Sequence, residues 1–106
     1  MTDTCKVRAL NDAFRQTFSG GRIVATVGIA NRSDLPEIVS RVRRFTEFTE
    51  ENDPYGEHDF GAFDHAGESF FWKIDYYGCQ LSCGSEDPSN PDTTTRVLTI
   101  MLAEEY

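Results

Sequence analysis

His58 is flanked by Glu57 and Asp59, and Asp75 and Tyr76 follow one strand-length later. An imidazole beside a carboxylate is the minimal kit for general acid–base chemistry, because the carboxylate fixes the tautomer. A tyrosine hydroxyl could donate to a developing oxyanion. His58, Asp59 and Asp75 are therefore the trio an enzyme would use, as a small hydrolase. The nucleophile is missing. The chain has no Gly-x-Ser-x-Gly, phosphate loop or HExxH. Cys79 and Cys83 lie in acidic sequence, which disfavours a thiolate. The same stretch contains metal-ligand types: His58, Asp59, Asp64, His65, Cys79 and Cys83. Cys79-x₃-Cys83 falls within zinc spacing but is a single pair. His58 and His65 differ in parity, so a regular strand points them apart. The expectation is no metal, no cofactor and no catalytic residue, with His58 a structural histidine bonded to a strand neighbour.

The charge distribution says more. The formal net charge of the 106 residues is −8. Residues 1–46 carry eight Lys or Arg against four acids, whereas residues 47–92 carry twelve acids against one base, Lys73. Such a block repels nucleic acid and anionic membrane and attracts basic surfaces. The carboxylates expected to form a partner-binding surface are Glu47, Glu50, Glu51, Asp53, Glu57, Asp59, Glu86, Asp87 and Asp92. Lys73 is expected to tie down acids such as Asp59. Arg41, Arg43 and Arg44 make a small basic patch that the whole-chain charge outweighs. Solubility alone is the plainer explanation of so many acids.

The elements that must position these groups follow from periodicity. Val7, Leu10, Phe14 and Phe18 have helical spacing, with Gly20-Gly21 as a stop. "RIVATVGIA", residues 22–30, alternates as a central strand. Asp34 and Glu37 suggest a capping box for a helix with Pro36 in its first turn. Its stripe is Leu35, Ile38, Val39, Val42, Phe45 and Phe48. Residues 57–64 and 69–77 read as a hairpin. An odd loop, Ala66-Gly67-Glu68, is preferred, because a two-residue turn would set Glu57 and Asp59 beside Ile74 and Tyr76. Trp72 is expected to fill the space left by Gly61, with Lys73 and Asp75 on the opposite face. Residues 78–92 read as a polar loop with a short strand at 79–83. The end pulls both ways: the Thr, Val and Ile of "TTTRVLTI" favour strand, while the Pro-Asp entry and "MLAEEY" favour helix. The expectation is helix.

The predicted fold is therefore α+β, a single domain over residues 1–106. An antiparallel sheet of three or more strands carries helices packed on it, in the order α-β-α-β-β-α. No apolar run approaches the roughly 20 residues that span a bilayer. Residues 1–14 lack an apolar signal core, and three cysteines fit reduced thiols. A cytoplasmic protein is expected.

"DPYGEHDFGAF", "FFWKIDYY" and "TTRVLTIMLAEEY" resemble a family of small uncharacterised bacterial proteins, a domain of unknown function common in proteobacteria. The similarity runs from about Leu10 to Tyr106. The resemblance implies a setting on plasmids, prophages or other mobile elements, and it implies no activity. Its shared pattern takes in Asp53, Pro54, Gly56 to Gly61, Trp72, Lys73, Asp75 and Tyr76, and leaves out His65, Cys79 and Cys83. The leading expectation is a non-enzymatic acidic binding or inhibitor protein. In its sharpest form it imitates DNA and occupies the basic groove of a host defence complex, as an anti-restriction or anti-CRISPR protein. Neither direct nucleic-acid binding nor a membrane is expected. The His58, Asp59 and Asp75 hydrolase and a generic acidic interaction module stand as alternatives.

Overall fold

The computed structural model describes residues 4–78, 84 and 87–106. Helix α1, Thr4–Thr17, buries Val7 and Phe14 and also, on the same stripe, Asn11 and Arg15. It ends with Phe18 in the left-handed region (φ 57°), two residues before Gly20 (φ 98°) takes the chain into strand β1, Gly21–Ala25. Gly21 is required there, because a Cβ would collide with the Arg96 carbonyl and the Phe14 ring.

The predicted strand over residues 22–30 is cut short. At Thr26 the chain turns into a four-residue helix α2, Val27–Ala30. The cause is distant in sequence: Glu105 accepts from the Thr26 hydroxyl (2.6 Å) and the Gly28 N–H (2.9 Å). Helix α3, Leu35–Arg43, follows, with Ile38 and Val42 buried. The expected capping box is absent. Asp34 makes no side-chain cap and instead grips Arg32 through both carboxylate oxygens (2.8 and 3.0 Å).

Strands β2, Phe60–His65, and β3, Glu68–Tyr77, form the hairpin. His65 pairs with Glu68, so the turn is Ala66-Gly67 alone, both residues at positive φ (55° and 80°). This is the two-residue geometry that suits strand twist, and the odd loop is corrected. The segment 95–102 is strand β4, Thr95–Leu102, not helix; only Ala103–Glu105 coils, as one 3₁₀ turn. Its β-branched residues prevail because the strand is central, paired to β3 on one side and β1 on the other.

The chain is thus an α+β fold with a four-stranded sheet ordered β1-β4-β3-β2. β4 runs antiparallel to β3 and parallel to β1, so the sheet is mixed rather than purely antiparallel. β1 is an edge strand with all five residues exposed, not the central strand expected from its composition. Phe63, Phe70, Trp72, Ile74, Leu98 and Ile100 face the helices and form the core with Ile38 and Val42. Trp72 lies flat against Gly61, where any Cβ would clash with its indole. Lys73 and Asp75 occupy the other face, paired with each other at 3.1 Å. Lys73 therefore ties down Asp75 rather than Asp59.

Candidate functional site

Two polar networks sit where α1 crosses the segment entering β2. The first is centred on His58. Its backbone adopts φ 55°, an uncommon conformation for a non-glycine residue. Its N–H donates to Asp53 Oδ1 at 3.1 Å. Its ring Nδ1 lies 2.9 Å from Asp12 Oδ1, and Nε2 lies 3.6 Å from Asp53 Oδ2. The ring stacks on Phe48, with centroids 3.7 Å apart and planes within 1°. Arg15, buried to 2% exposure, donates to Asp12 Oδ1 (3.0 Å) and to the Phe45 carbonyl (3.2 Å). Its guanidinium lies over the Phe48 and Trp72 rings. Basic and acidic side chains therefore alternate along Arg15, Asp12, His58 and Asp53.

The second network lies alongside. Asn11, fully buried, donates to the Glu57 carbonyl (2.9 Å) and the Tyr76 hydroxyl oxygen (2.8 Å). Tyr76 donates to Glu57 Oε1 at 2.8 Å. Arg96 donates to Asn11 Oδ1 at 2.7 Å and to the Pro88 carbonyl. Burial pushes the Tyr76 hydroxyl well above its ordinary value, and the charges of Asp59 and Glu57 add to this. The hydroxyl stays protonated and is committed as a donor to Glu57. Burial also lowers Arg96 from its usual range, against the pull of Tyr76 and Glu57. Arg8 closes the assembly by donating to the Gly56 carbonyl at 2.6 Å.

The predicted site residues separate into three groups. Glu47, Glu50 and Glu51 are exposed on the segment after α3, and Asp92 is exposed near β4. Asp53 is buried, and Glu57 and Asp59 are half-buried; the first two are held by the networks above. Burial raises the Asp59 carboxyl, and Glu57, then Asp53 and Asp75, raise it further. Asp87 accepts from the Ser89 N–H and hydroxyl, which lower its carboxyl. Glu86, Cys79 and Cys83, and the short strand expected at 79–83, lie outside the described residues.

The trio His58, Asp59 and Asp75 is not assembled. His58 takes Asp12 and Asp53 instead, and Asp75 stands on the opposite sheet face with Lys73. The partners of His58 come from α1 and its own loop, not from a neighbouring strand. Here both nitrogens face carboxylates and Phe48 covers the ring. A cleft of about 650 Å³ is lined by α3 and the residues just after it, with Gln16 of α1, and His58 is not among its lining residues. Among the described residues, no group of three or more His, Cys, Asp and Glu side chains is placed to hold a metal ion. No helix among them is long and apolar enough to cross a membrane.

Sequence reasoning missed Asn11, Asp12, Arg15 and Arg96. The signal lay in α1, where Val7, Asn11, Phe14 and Arg15 share a helical stripe with two polar members.

Helices packed on a mixed four-stranded sheet and tied to it by a buried polar clamp define a small α+β domain. The chain belongs to the family described as "Protein of unknown function (DUF3768)", whose model matches residues 22–105. That match takes in His58, Asp53, Glu57, Tyr76 and Arg96, while Asn11, Asp12 and Arg15 precede it. No curated protein and no solved structure matches the chain.

Proposed function

We propose that the chain is a non-enzymatic binding protein that offers an acidic surface to a basic partner. One observation carries the reading: Glu47, Glu50 and Glu51 project from a segment whose other residues are fixed. Phe48 packs against the core and His58. Asn52 donates to the Glu47 carbonyl (3.1 Å) and accepts from the Thr49 N–H (2.9 Å). Asp53 donates its N–H to the Thr49 carbonyl (2.8 Å) and is itself held by His58. Carboxylates on an ordered segment bind without an ordering cost and steer a basic surface inward.

The most specific form of the proposal is an inhibitor that imitates DNA in the basic groove of a restriction or CRISPR-type nuclease. It rests on the carboxylate surface and on the mobile-element setting that the family resemblance implies. The test is displacement of duplex DNA from a panel of purified defence nucleases, at low and high salt. Displacement should fade as salt rises and vanish in Glu47→Lys/Glu50→Lys/Glu51→Lys. Absence of displacement throughout sinks the DNA-imitating form. Displacement undiminished by the triple reversal sinks the acidic-surface reading itself.

A further inference from the structure

The outer edge of β1 carries exposed apolar side chains beside backbone groups that no strand of the described residues pairs with. We infer that this partner is a second copy of the chain, joined antiparallel through Gly21–Ala25 into one continuous sheet. The inference is independent of the acidic surface, since β1 and β2 are opposite edges of the sheet and the acidic segment leads into β2.

Backbone direction sets the register. Thr26 turns its N–H to the Ile100 carbonyl (3.1 Å). Successive residues of a strand turn their backbone groups to opposite sides. Arg22 and Val24 therefore also bond towards β4, while Gly21, Ile23 and Ala25 turn N–H and C=O to the free edge. Among the described residues, no strand pairs with them there. In an antiparallel pair, directly opposite residues must both face the partner or both face away. With the dyad at Ile23, Ile23 meets Ile23, Gly21 meets Ala25 and Arg22 meets Val24. Every outward residue then meets an outward residue. A shift by one residue would set outward against inward and form no ladder.

The side chains agree with this register. Ile23 and Val24 are 36% and 43% exposed, large apolar groups at an edge with no acidic residue or proline to guard it. The pairing covers Ile23 with its counterpart and Val24 with the aliphatic stem of Arg22. The charges also match. Arg22 is exposed, and no ion pair holds it among the described residues. Glu105 is held by the Thr26 hydroxyl and the N–H groups of Gly28 and Leu102, with no cation against it among the described residues. Thr26 shares a face with Val24. Arg22 of the second copy, opposite Val24, is thus diagonal to Thr26 at roughly 7–8 Å, a span a long side chain crosses. The dyad gives two Arg22–Glu105 pairs, one on each side of Ile23.

Sedimentation equilibrium of the full chain over a wide concentration range tests this. The expected result is a concentration-dependent dimer. Ile23→Pro should abolish it with circular dichroism unchanged, because that N–H serves no bond within the fold and proline suits such an edge position. Arg22→Glu, an exposed change, should weaken the dimer, whereas Arg22→Lys, which keeps the charge, should preserve it. The glutamate triple reversal should leave it intact. A monomer at every concentration, or a dimer indifferent to both Ile23→Pro and Arg22→Glu, overturns the inference. If Ile23→Pro fails to fold, the Arg22→Glu comparison decides alone.

Discussion

Glu51 and Asp53 stand two residues apart, and the fold treats their charges in opposite ways. Glu51 is exposed with Glu47 and Glu50, while the Asp53 side chain is 5% exposed, accepts the His58 N–H and lies 3.6 Å from the His58 ring. The first group costs the fold little and is free to meet a partner. The second is structural charge: Asp53 accepts the His58 N–H, and the His58 ring is held by Asp12 of α1, which in turn accepts from Arg15. A run of acids that looks uniform in composition is therefore two devices: an outer surface and the anchor that orders it.

Charge reversal should separate them most sharply. Asp53→Lys removes the acceptor of the His58 N–H and places a cation beside the ring. Breaking a buried charge arrangement costs at least about 3 kcal/mol. Glu51→Lys should lie within about 0.5 kcal/mol of the parent, as exposed substitutions do. Urea unfolding of the two variants measures both. Equal effects would mean that Asp53 is not an anchor.

The next effect concerns His58. His58→Ala should cost about 2 kcal/mol, through the lost Asp12 bond, the lost ring contact with Asp53 and the lost Phe48 stack. His58→Gly loses the same ring but relieves the positive φ, so it should be more stable than His58→Ala by about 1 kcal/mol. Thermal unfolding of the pair tells backbone strain from ring chemistry. Alanine equal to glycine would mean that the loop relaxes out of the left-handed conformation.

Why the anchor was hard to read in the chain follows from its partners. The α3 stripe and the β3 alternation are local patterns, and Ile38, Val42, Phe70, Trp72 and Ile74 are buried as expected. The hairpin turn was misread for an instructive reason. The two-residue turn does bring Glu57 and Asp59 alongside Tyr76 and Ile74, the arrangement that seemed too costly. The fold accepts it because the Tyr76 hydroxyl donates to Glu57 and Asn11 secures both, over sequence separations of 19 to 65 residues. Asp59 keeps part of the cost. The break in the first strand likewise depends on Glu105, 77 residues beyond Gly28. The carboxylate cluster was legible as composition; which members turn inward depended on contacts that no local pattern encodes.

Asp59 gives the smallest effect and the finest test of the division. Its folded carboxyl is raised above the ordinary value, first by burial and then by Glu57, Asp53 and Asp75. A carboxyl raised on folding holds its proton more tightly in the native state than in the unfolded chain. Stability then falls as pH climbs from the unfolded value through the raised folded one, and the deficit persists at neutrality. Asp59→Asn removes the deficit, so it should be slightly more stable than the parent at about pH 7 and no more stable at about pH 3. Asp34, Asp87 and Glu105, all lowered on folding, act with the opposite sign: their stabilisation is lost as pH falls through their folded values. Those three are common to both chains, so the difference between parent and variant across an acid series isolates Asp59. A gain at neutral pH that persists unchanged into acid would mean that Asp59 is limited by packing, not charge, and that its place belongs with the inner anchor on grounds of shape alone.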